Sequence, residues 1–379
     1  MARHQTHRRQ RVAPNSSATR AAVGHAAGAS GGAPRGATLL GRSFVHPLFD
    51  YALIGGGLSL VIAAIAVRNP GFTTALGFGT LAYLILFSNS AHFAASTVRL
   101  YTKPGAFETW PRLTMIVPLV SLAALAGCLM LPASVAHHAF ALTLTWSPYH
   151  YAAQAYGLAV LYAYRSGCQL GTADKRLLWW TSLLPFVFVV VSGTEIGLDW
   201  LVPAAVLSAG PVDATLRFLS HALPWAGIAA ITLLFVKTWR SPGGPLPLIS
   251  VLVLVTNAVW WFVLDPIGAF TWATIFHGVQ YLAIAAIFHA REQVACEGNH
   301  RGVLHHVLWF YGASLLLGYG LFYCLPWGFT AAGFGLLQSV ALVVAAINIH
   351  HFVVDAFIWR LRPGGANRRI TEASQPVAA

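Results

Sequence analysis

The sequence predicts an all-α, polytopic integral membrane protein, a helical bundle of about ten transmembrane helices with both termini in the cytoplasm. Of its 379 residues, 57% are hydrophobic and only 9% are charged, whereas charged residues make up about a quarter of an ordinary soluble domain. Apolar stretches of about 20 residues, the length that crosses a bilayer as a helix, recur along the chain. These stretches are too long for the alternating strands of a membrane barrel, so we expect helices.

Ten apolar segments are the predicted spans. They cover residues 49–67, 73–98, 113–130, 137–164, 177–191, 216–236, 246–264, 269–290, 304–323 and 331–359. One set of connecting loops holds most of the Arg and Lys residues, and the other set carries the acids Glu195, Asp199, Asp213 and Asp265. Basic loops favour the cytoplasmic side, which predicts an even number of spans with both ends inside. We expect a multi-pass protein of the bacterial inner (cytoplasmic) membrane.

The two ends of the chain differ in composition from the apolar middle. Residues 1–42 contain no acid and no apolar run, which predicts a disordered basic cytoplasmic arm. Residues 43–363 are the predicted transmembrane helical domain, and residues 364–379 a disordered C-terminal tail. The net charge of +12 lies mostly in the tails and short loops, where it indicates membrane topology and not a nucleic-acid partner.

Histidines inside the predicted spans are the best candidates for function, because an unsatisfied imidazole in hydrocarbon is costly. The spans contain His92, His150, His277 and the adjacent pair His350 and His351. At about 1.5 Å per residue from the nearest cytoplasmic arginine, His92 lies roughly 10 Å deep, His351 roughly 13 Å, and His150 and His277 both roughly 21 Å. All of them fall in the cytoplasmic half or near the midplane, so we expect their rings to meet at one place.

Several of these histidines have a polar residue about one helical turn further on, where side chains are neighbours. The pairs are His46 with Asp50, His92 with Ser96, His150 with Gln154, His277 with Gln280 and Tyr281, and His351 with Asp355. A ligating histidine normally donates its other ring N–H to such a partner. Asp355 is either a metal ligand or the hydrogen-bond partner of one.

These residues predict a metal site. The candidate ligands are His92, His150, His277, His350, His351 and Asp355, and the candidate orienting or substrate residues are Asn89, Gln154, Gln280 and Tyr281. Neutral imidazole is the commonest protein metal ligand, and histidine with carboxylate suits iron in oxygen chemistry. No residue is assigned a catalytic role beyond ligation.

The kind of site is similar to that of the membrane histidine-box enzymes, which include lipid desaturases, hydroxylases and carotenoid-cleaving dioxygenases. The HxxxH and HxxHH boxes of the desaturases are absent from this chain, so the similarity is one of site type and assigns no family. It implies non-haem iron acting on a lipid or isoprenoid substrate that enters from the membrane lipids. The electron donor is not identified by the sequence.

Three other functions compete with a membrane metalloenzyme. A b-type haem electron carrier would use two histidines at matched depth, such as His150 and His277, as axial ligands. A transporter would use the histidines and Asp355 to carry protons. A non-catalytic subunit of a membrane complex would need none of this chemistry.

Overall fold

The computed structural model describes residues 38–192, 198, 202–361 and 365–372, and the secondary structure of these residues is helical. Most of the predicted basic arm, residues 1–37, lies outside the described residues, as do residues 362–364 and 373–379 at the other end.

The helices are labelled α1 to α17 in chain order. They are α1 Pro47–Phe49, α2 Gly57–Arg68, α3 Phe72–Ala75, α4 Gly77–Ile85, α5 Ala91–Thr102, α6 Ala106–Thr109, α7 Val117–Leu129, α8 Ala133–Arg165, α9 Thr172–Val191, α10 Ala204–Leu207, α11 Gly210–Trp239, α12 Leu248–Phe262, α13 Pro266–Val294, α14 Val303–Tyr319, α15 Leu325–Ala331, α16 Leu336–Ile358 and α17 Ala366–Glu372. Wider π-helical turns adjoin some of them at Asp50–Ile54, Leu86–Ser90, Arg112–Ile116 and Gly320–Cys324.

Six continuous helical segments of the described residues are long and apolar enough to cross a membrane. They are Gly77–Thr102, Arg112–Leu129, Gly210–Trp239, Pro266–Val294, Val303–Ala331 and Leu336–Ile358. The pair Pro47–Ile54 and Gly57–Arg68, bent by 47°, would be a seventh. Each predicted span overlaps a helix, but α8, α9 and α12 do not pass the same test. The chain is therefore a helical bundle with six candidate spans, and the predicted count of about ten is not confirmed.

Helix α13 is the central helix of the bundle. Of its most apolar stretch, 78% is buried inside the protein, against 11% for α11. Its start is well defined, because Asp265 Oδ1 accepts hydrogen bonds from the amides of Ile267 and Gly268, and Pro266 occupies the first turn. A capping carboxylate and an early proline are both typical of helix starts.

Two arginines join Ser43, Phe44 and Ile370 to the helix ends on one face of the bundle. Arg165, the last residue of α8, donates through Nε to the carbonyl of Ser43 at 2.8 Å. Arg291, near the end of α13, donates to the carbonyls of Phe44 at 2.9 Å and Ile370 at 3.2 Å. The first span therefore begins on the face where α8 and α13 end.

The C-terminal prediction needs a correction. Residues 366–372, predicted as part of a disordered tail, form α17. The Asn367 side chain donates to the carbonyl of Ile358 at 2.6 Å and accepts from Arg99 at 3.1 Å. Because Arg99 comes from a distant stretch of chain, local composition did not indicate this contact of the helix.

The predicted pair of His46 and Asp50 is not formed between their side chains. The buried Asp50 carboxylate accepts hydrogen bonds from the backbone amides of Phe44, at 2.5 Å, and Val45, at 3.1 Å, and from the hydroxyl of Tyr162 at 2.7 Å. The His46 ring instead caps α1 by accepting the amide of Leu48.

The π-helical segment Leu86–Ser90 lies between two helices that approach its backbone at glycines. A Cβ on Gly278 of α13 would lie 2.9 Å from the carbonyl carbon of Ser88, and a Cβ on Gly318 of α14 would lie 2.6 Å from the carbonyl oxygen of Ser90. Only glycine permits these approaches. The segment directly before His92 is thus packed tightly on two sides, and π turns are frequent at functional sites.

Candidate metal centre

Four histidines from four helices bring their rings together inside the bundle. They are His92 of α5, His150 of α8, His277 of α13 and His351 of α16. The ring centroid of His92 lies 4.7 Å from that of His277 and 4.4 Å from that of His351. The centroid of His150 lies 5.0 Å from that of His277 and 4.9 Å from that of His351.

Three of these rings and one carboxylate form a group with the spacing of a metal site. One ligand atom from each of His92, His150, His351 and Asp355 lies within 4.8 Å of the others. Metal–nitrogen and metal–oxygen bonds of roughly 2.0–2.2 Å place ligands on opposite sides of an ion up to about 4.4 Å apart. The group therefore fits around one ion after shifts of a few tenths of an ångström.

The hydrogen bonds of Ser96 assign the proton on His351. The Ser96 hydroxyl donates to the carbonyl of Phe93 at 2.9 Å, and its oxygen lies 3.0 Å from Nδ1 of His351. With its only hydrogen directed to Phe93, Ser96 accepts the Nδ1–H of His351. The Nε2 lone pair of His351 then points into the centre, as metal coordination requires.

The surroundings of that lone pair suit a proton or a bound cation. His351 Nε2 lies 3.1 Å from Nε2 of His150 and 3.4 Å from the Asp355 carboxylate. A lone pair facing a carboxylate is repulsive unless a proton or a metal ion lies between them. The donor set of the centre therefore matches a bound cation.

Two of the rings lack hydrogen-bond partners. Among the described residues, neither ring nitrogen of His92 or of His277 has one, although both residues are fully buried. A buried polar atom left without a partner costs about 1–3 kcal/mol. A metal ion at the centre would satisfy one of the two ring nitrogens of His92. His277, stacked on Tyr151 with ring centroids 4.1 Å apart, touches the group by its ring but is outside the four close ligand atoms.

His350 does not join the group, although the sequence made it a candidate ligand. It is half-buried and is not one of the residues whose ligand atoms lie close together. Successive residues of a helix point about 100° apart, because a turn takes 3.6 residues. Only one of two adjacent histidines on α16 can therefore aim at the centre, and that one is His351.

The depth estimates agree for one pair of histidines and fail for another. His150 and His277, both placed roughly 21 Å from an arginine at 1.5 Å per residue, do lie side by side. His92 and His351 seemed much shallower, yet their rings join the same cluster. Arg99, the depth reference for His92, is itself fully buried, so it does not mark the membrane surface from which that depth was counted.

The four predicted orienting residues have different roles. Tyr281 donates its hydroxyl to Asp355 Oδ1 at 2.6 Å and so holds the carboxylate. Gln154 donates to the His277 carbonyl at 3.1 Å, and Gln280 to the Ile54 carbonyl at 3.0 Å, so both join helices together. Asn89 lies in the π-helical segment, and its buried Oδ1 has no hydrogen-bond partner among the described residues.

Sequence reasoning missed a second layer of contacts behind Asp355. The Trp359 indole N–H donates to the Tyr281 hydroxyl at 3.2 Å. The guanidinium of Arg99 lies over the Trp359 ring, 4.6 Å from its centroid, and also pairs with Glu292 at 3.2 Å. Trp359 lies four residues after Asp355, a spacing that could have indicated this role. The contacts of Arg99 with Trp359 and Glu292 carry no such signal.

The sequence spacing paired Ser96 with His92, which is not its partner in the structure. Its position four residues after His92 suggested a bond to that ring, but its partner is His351 on another helix. The helix face was read correctly from the spacing, since Ser96 does point into the cluster. The partner depended on how α5 packs against α16.

An apolar cavity of about 780 Å³ adjoins the centre between α8 and α16. His150, Gln154, Tyr281 and Asp355 contribute to its wall. Trp146, which also lines it, is 45% exposed, so the cavity opens sideways at the bundle surface. It is the size of a pocket for a small organic ligand, which is typically about 300–1,000 Å³.

Comparisons of this chain with family models, with curated proteins and with solved structures find no match.

Proposed function

We propose that this chain is an integral membrane metalloenzyme that binds one non-haem iron ion and oxidises a lipid or isoprenoid with O₂, as oxygenases, hydroxylases and desaturases do. The observation that carries the proposal is the convergence of His92, His150, His351 and Asp355, whose ligand atoms lie within 4.8 Å of one another. Three distant stretches of chain supply these groups to the interior, where unpaired polar groups are costly.

Iron suits this donor set. Imidazole nitrogens with one carboxylate and open positions are typical of non-haem Fe(II) sites that bind O₂. Four protein ligands leave room for O₂ on an ion that takes five or six ligands. His277, with its unpartnered nitrogens beside the group, is available as a further ligand.

The apolar cavity supports oxidation of a hydrophobic substrate. It lies against His150 and Asp355 and opens at the side of the bundle, so a membrane-dissolved molecule reaches the ion without crossing water. Incorporating both oxygen atoms of O₂ needs no further reductant. Hydroxylation or desaturation also consumes two electrons and two protons per O₂, which an external electron carrier would supply.

We further propose ten crossings with both chain ends in the cytoplasm of a bacterium. The hydrogen bonds of Arg165 to Ser43 and of Arg291 to Phe44 and Ile370 support the topology. They bring residues before the first helix and a residue of α17 to the face where α8 and α13 end. The basic residues on that face favour the cytoplasmic side of the inner membrane.

The packing of the rings favours a bare ion over haem. Bis-histidine haem ligation requires a flat macrocycle between two rings that face each other across the iron. Here the centroids of His150 and His277 are only 5.0 Å apart, and the ring of His351 lies 4.9 Å from that of His150. A gap for a macrocycle would require separating these helices.

Metal analysis and an absorption spectrum of the purified full-length protein test the proposal. We expect stoichiometric iron without a Soret band in the wild type, and loss of that iron in His92→Ala. His221→Ala, which alters an exposed histidine of α11, is the matched control and should keep its iron. A Soret band, or equal metal content in wild type and His92→Ala, would overturn the proposal.

A further inference from the structure

The cavity beside the metal centre is a long groove. Its lining on α8 extends from Leu142 to Leu161, which is roughly 28 Å at a rise of about 1.5 Å per residue. The opposite wall comes mainly from α16, between Ile349 and Phe357. The α8 wall approaches the thickness of the bilayer hydrocarbon, roughly 30 Å, whereas the α16 wall between these two residues covers about 12 Å of it.

The metal ligands lie near the middle of the groove and not at its end. His150 is roughly 12 Å along the helix axis from Leu142 and roughly 16 Å from Leu161. A site at one end would present only a headgroup or a chain terminus to the ion. The central position leaves room for apolar chain on both sides of the reacting atom.

The two arms of the groove are apolar. Leu142 and Ile349 line the arm on one side of His150, and Leu158, Leu161 and Ile284 line the other. At the centre of the groove, by contrast, Gln154 Oε1 is buried and has no hydrogen-bond partner among the described residues. Apolar segments of a chain on both sides of the reacting carbon would fit these arms.

The groove also opens along its side. Leu142 is 46% exposed, Ile349 50% and Phe357 39%, and these residues lie at different heights along the groove. A chain parallel to the helices can therefore enter sideways from the bilayer over its whole length. An entrance at one end only would require threading.

We propose that the groove binds a long hydrocarbon chain, acyl or polyisoprenoid, in an extended conformation, with an internal carbon and not a headgroup or chain end beside His150 and Asp355. This inference rests on the proposed function for the chemistry that follows binding. It narrows the substrate class to long chains that are oxidised at an internal position.

Photolabelling tests the register of the bound chain. The full-length protein in lipid nanodiscs is incubated with long-chain fatty acids that carry a diazirine either at mid-chain or at the terminal carbon. After irradiation, labelled residues are mapped by mass spectrometry. We expect the mid-chain probe to label the stretch from His150 to Gln154, and the terminal probe to label the arm at Leu142 or the arm at Leu161. Terminal labelling next to His150, or mid-chain labelling no stronger there than on α11, would overturn the inference.

A glycine in the groove allows a matched blocking variant. Gly157 lines the groove and has open space at its Cβ position, and Gly312 of α14 has the same open space away from the groove. Gly157→Leu should lower mid-chain labelling about tenfold, because the new side chain would fill space that the bound chain needs. Gly312→Leu should label like the wild type, and both variants should keep their metal.

The outcomes separate the two proposals. Metal-free protein with central mid-chain labelling would contradict the proposed function and leave the groove assignment standing. Metal-loaded protein without central labelling would contradict only the groove assignment. Labelling unaffected by Gly157→Leu would show that the probe does not occupy the groove.

Discussion

The carboxylate of Asp355 lies 3.4 Å from Nε2 of His351, one helical turn earlier on α16, and faces the lone pair that Ser96 leaves on that nitrogen. Two electron-rich groups held this close inside an apolar bundle repel each other unless a proton or a metal ion lies between them. This pair is therefore the part of the centre most sensitive to substitution.

Replacing Asp355 with asparagine removes the negative charge and leaves the shape unchanged. We expect the metal affinity of Asp355→Asn to fall by more than about 100-fold, beyond the usual cost of losing an outer hydrogen-bond partner. Retention of iron during dialysis against a chelator measures the effect. Asp174→Asn, which weakens a distant ion pair with Lys237, is the control, and equal retention in both variants would contradict the ligand role.

The adjacent histidines His350 and His351 should behave oppositely. His351→Ala should lose the metal, because it removes a ring nitrogen from the group. His350→Ala should keep the metal, because its side chain points away from the centre by about 100° of helix rotation. Elemental analysis of both purified variants decides the matter, and iron loss in His350→Ala would show that this rotational assignment is incorrect.

Tyr281 should act by holding Asp355. Tyr281→Phe removes the 2.6 Å hydrogen bond to the carboxylate but keeps the ring, so we expect about 10–100-fold weaker metal binding with an intact fold. Chelator competition gives the affinity, and thermal unfolding checks the fold. Tyr311→Phe, which removes a bond to the carbonyl of Phe87, provides a comparison at a tyrosine outside the centre and should bind metal normally.

Ser96 should set the tautomer of His351. In Ser96→Ala the Nδ1–H of His351 loses its acceptor, and we expect metal affinity to drop by about tenfold, at the low end for such partners. The nitrogen NMR shifts of the histidine ring would report the tautomer directly. Ser314→Ala, at a buried serine that bonds to its own helix at Phe310, should leave both readings unchanged. An unaltered His351 spectrum in Ser96→Ala would refute the assignment.

The contact between α14 and the segment before His92 should leave no room for a side chain at Gly318. Gly318→Ala places a Cβ 2.6 Å from the carbonyl oxygen of Ser90, so we expect the free energy of unfolding to fall by about 1–3 kcal/mol. Gly312→Ala, with open space at its Cβ, should be neutral or slightly stabilising. Unfolding in mixed detergent micelles compares the two, and equal stability would contradict the tight packing.

Some features of the site were predictable because they depend on local sequence. The polar spacing of His351 and Asp355 predicted their contact, since residues four apart share a helix face, and the structure confirms it. The same rule placed Ser96 on the inner face of α5. It failed for the side chains of His46 and Asp50, because the Asp50 carboxylate accepts the backbone amides of Phe44 and Val45, and the His46 ring accepts that of Leu48.

The sequence alone determined the apolar, helical character of this protein and the small set of histidines able to meet inside it, because composition and spacing are local properties of the chain. Only the tertiary structure decided which rings meet, that Ser96 serves His351, that Arg99 is buried, and that His350 is turned away. The physical reason is that successive side chains of a helix point about 100° apart, which the sequence shows. Which neighbouring helix each side chain meets depends on packing between helices that are distant in sequence.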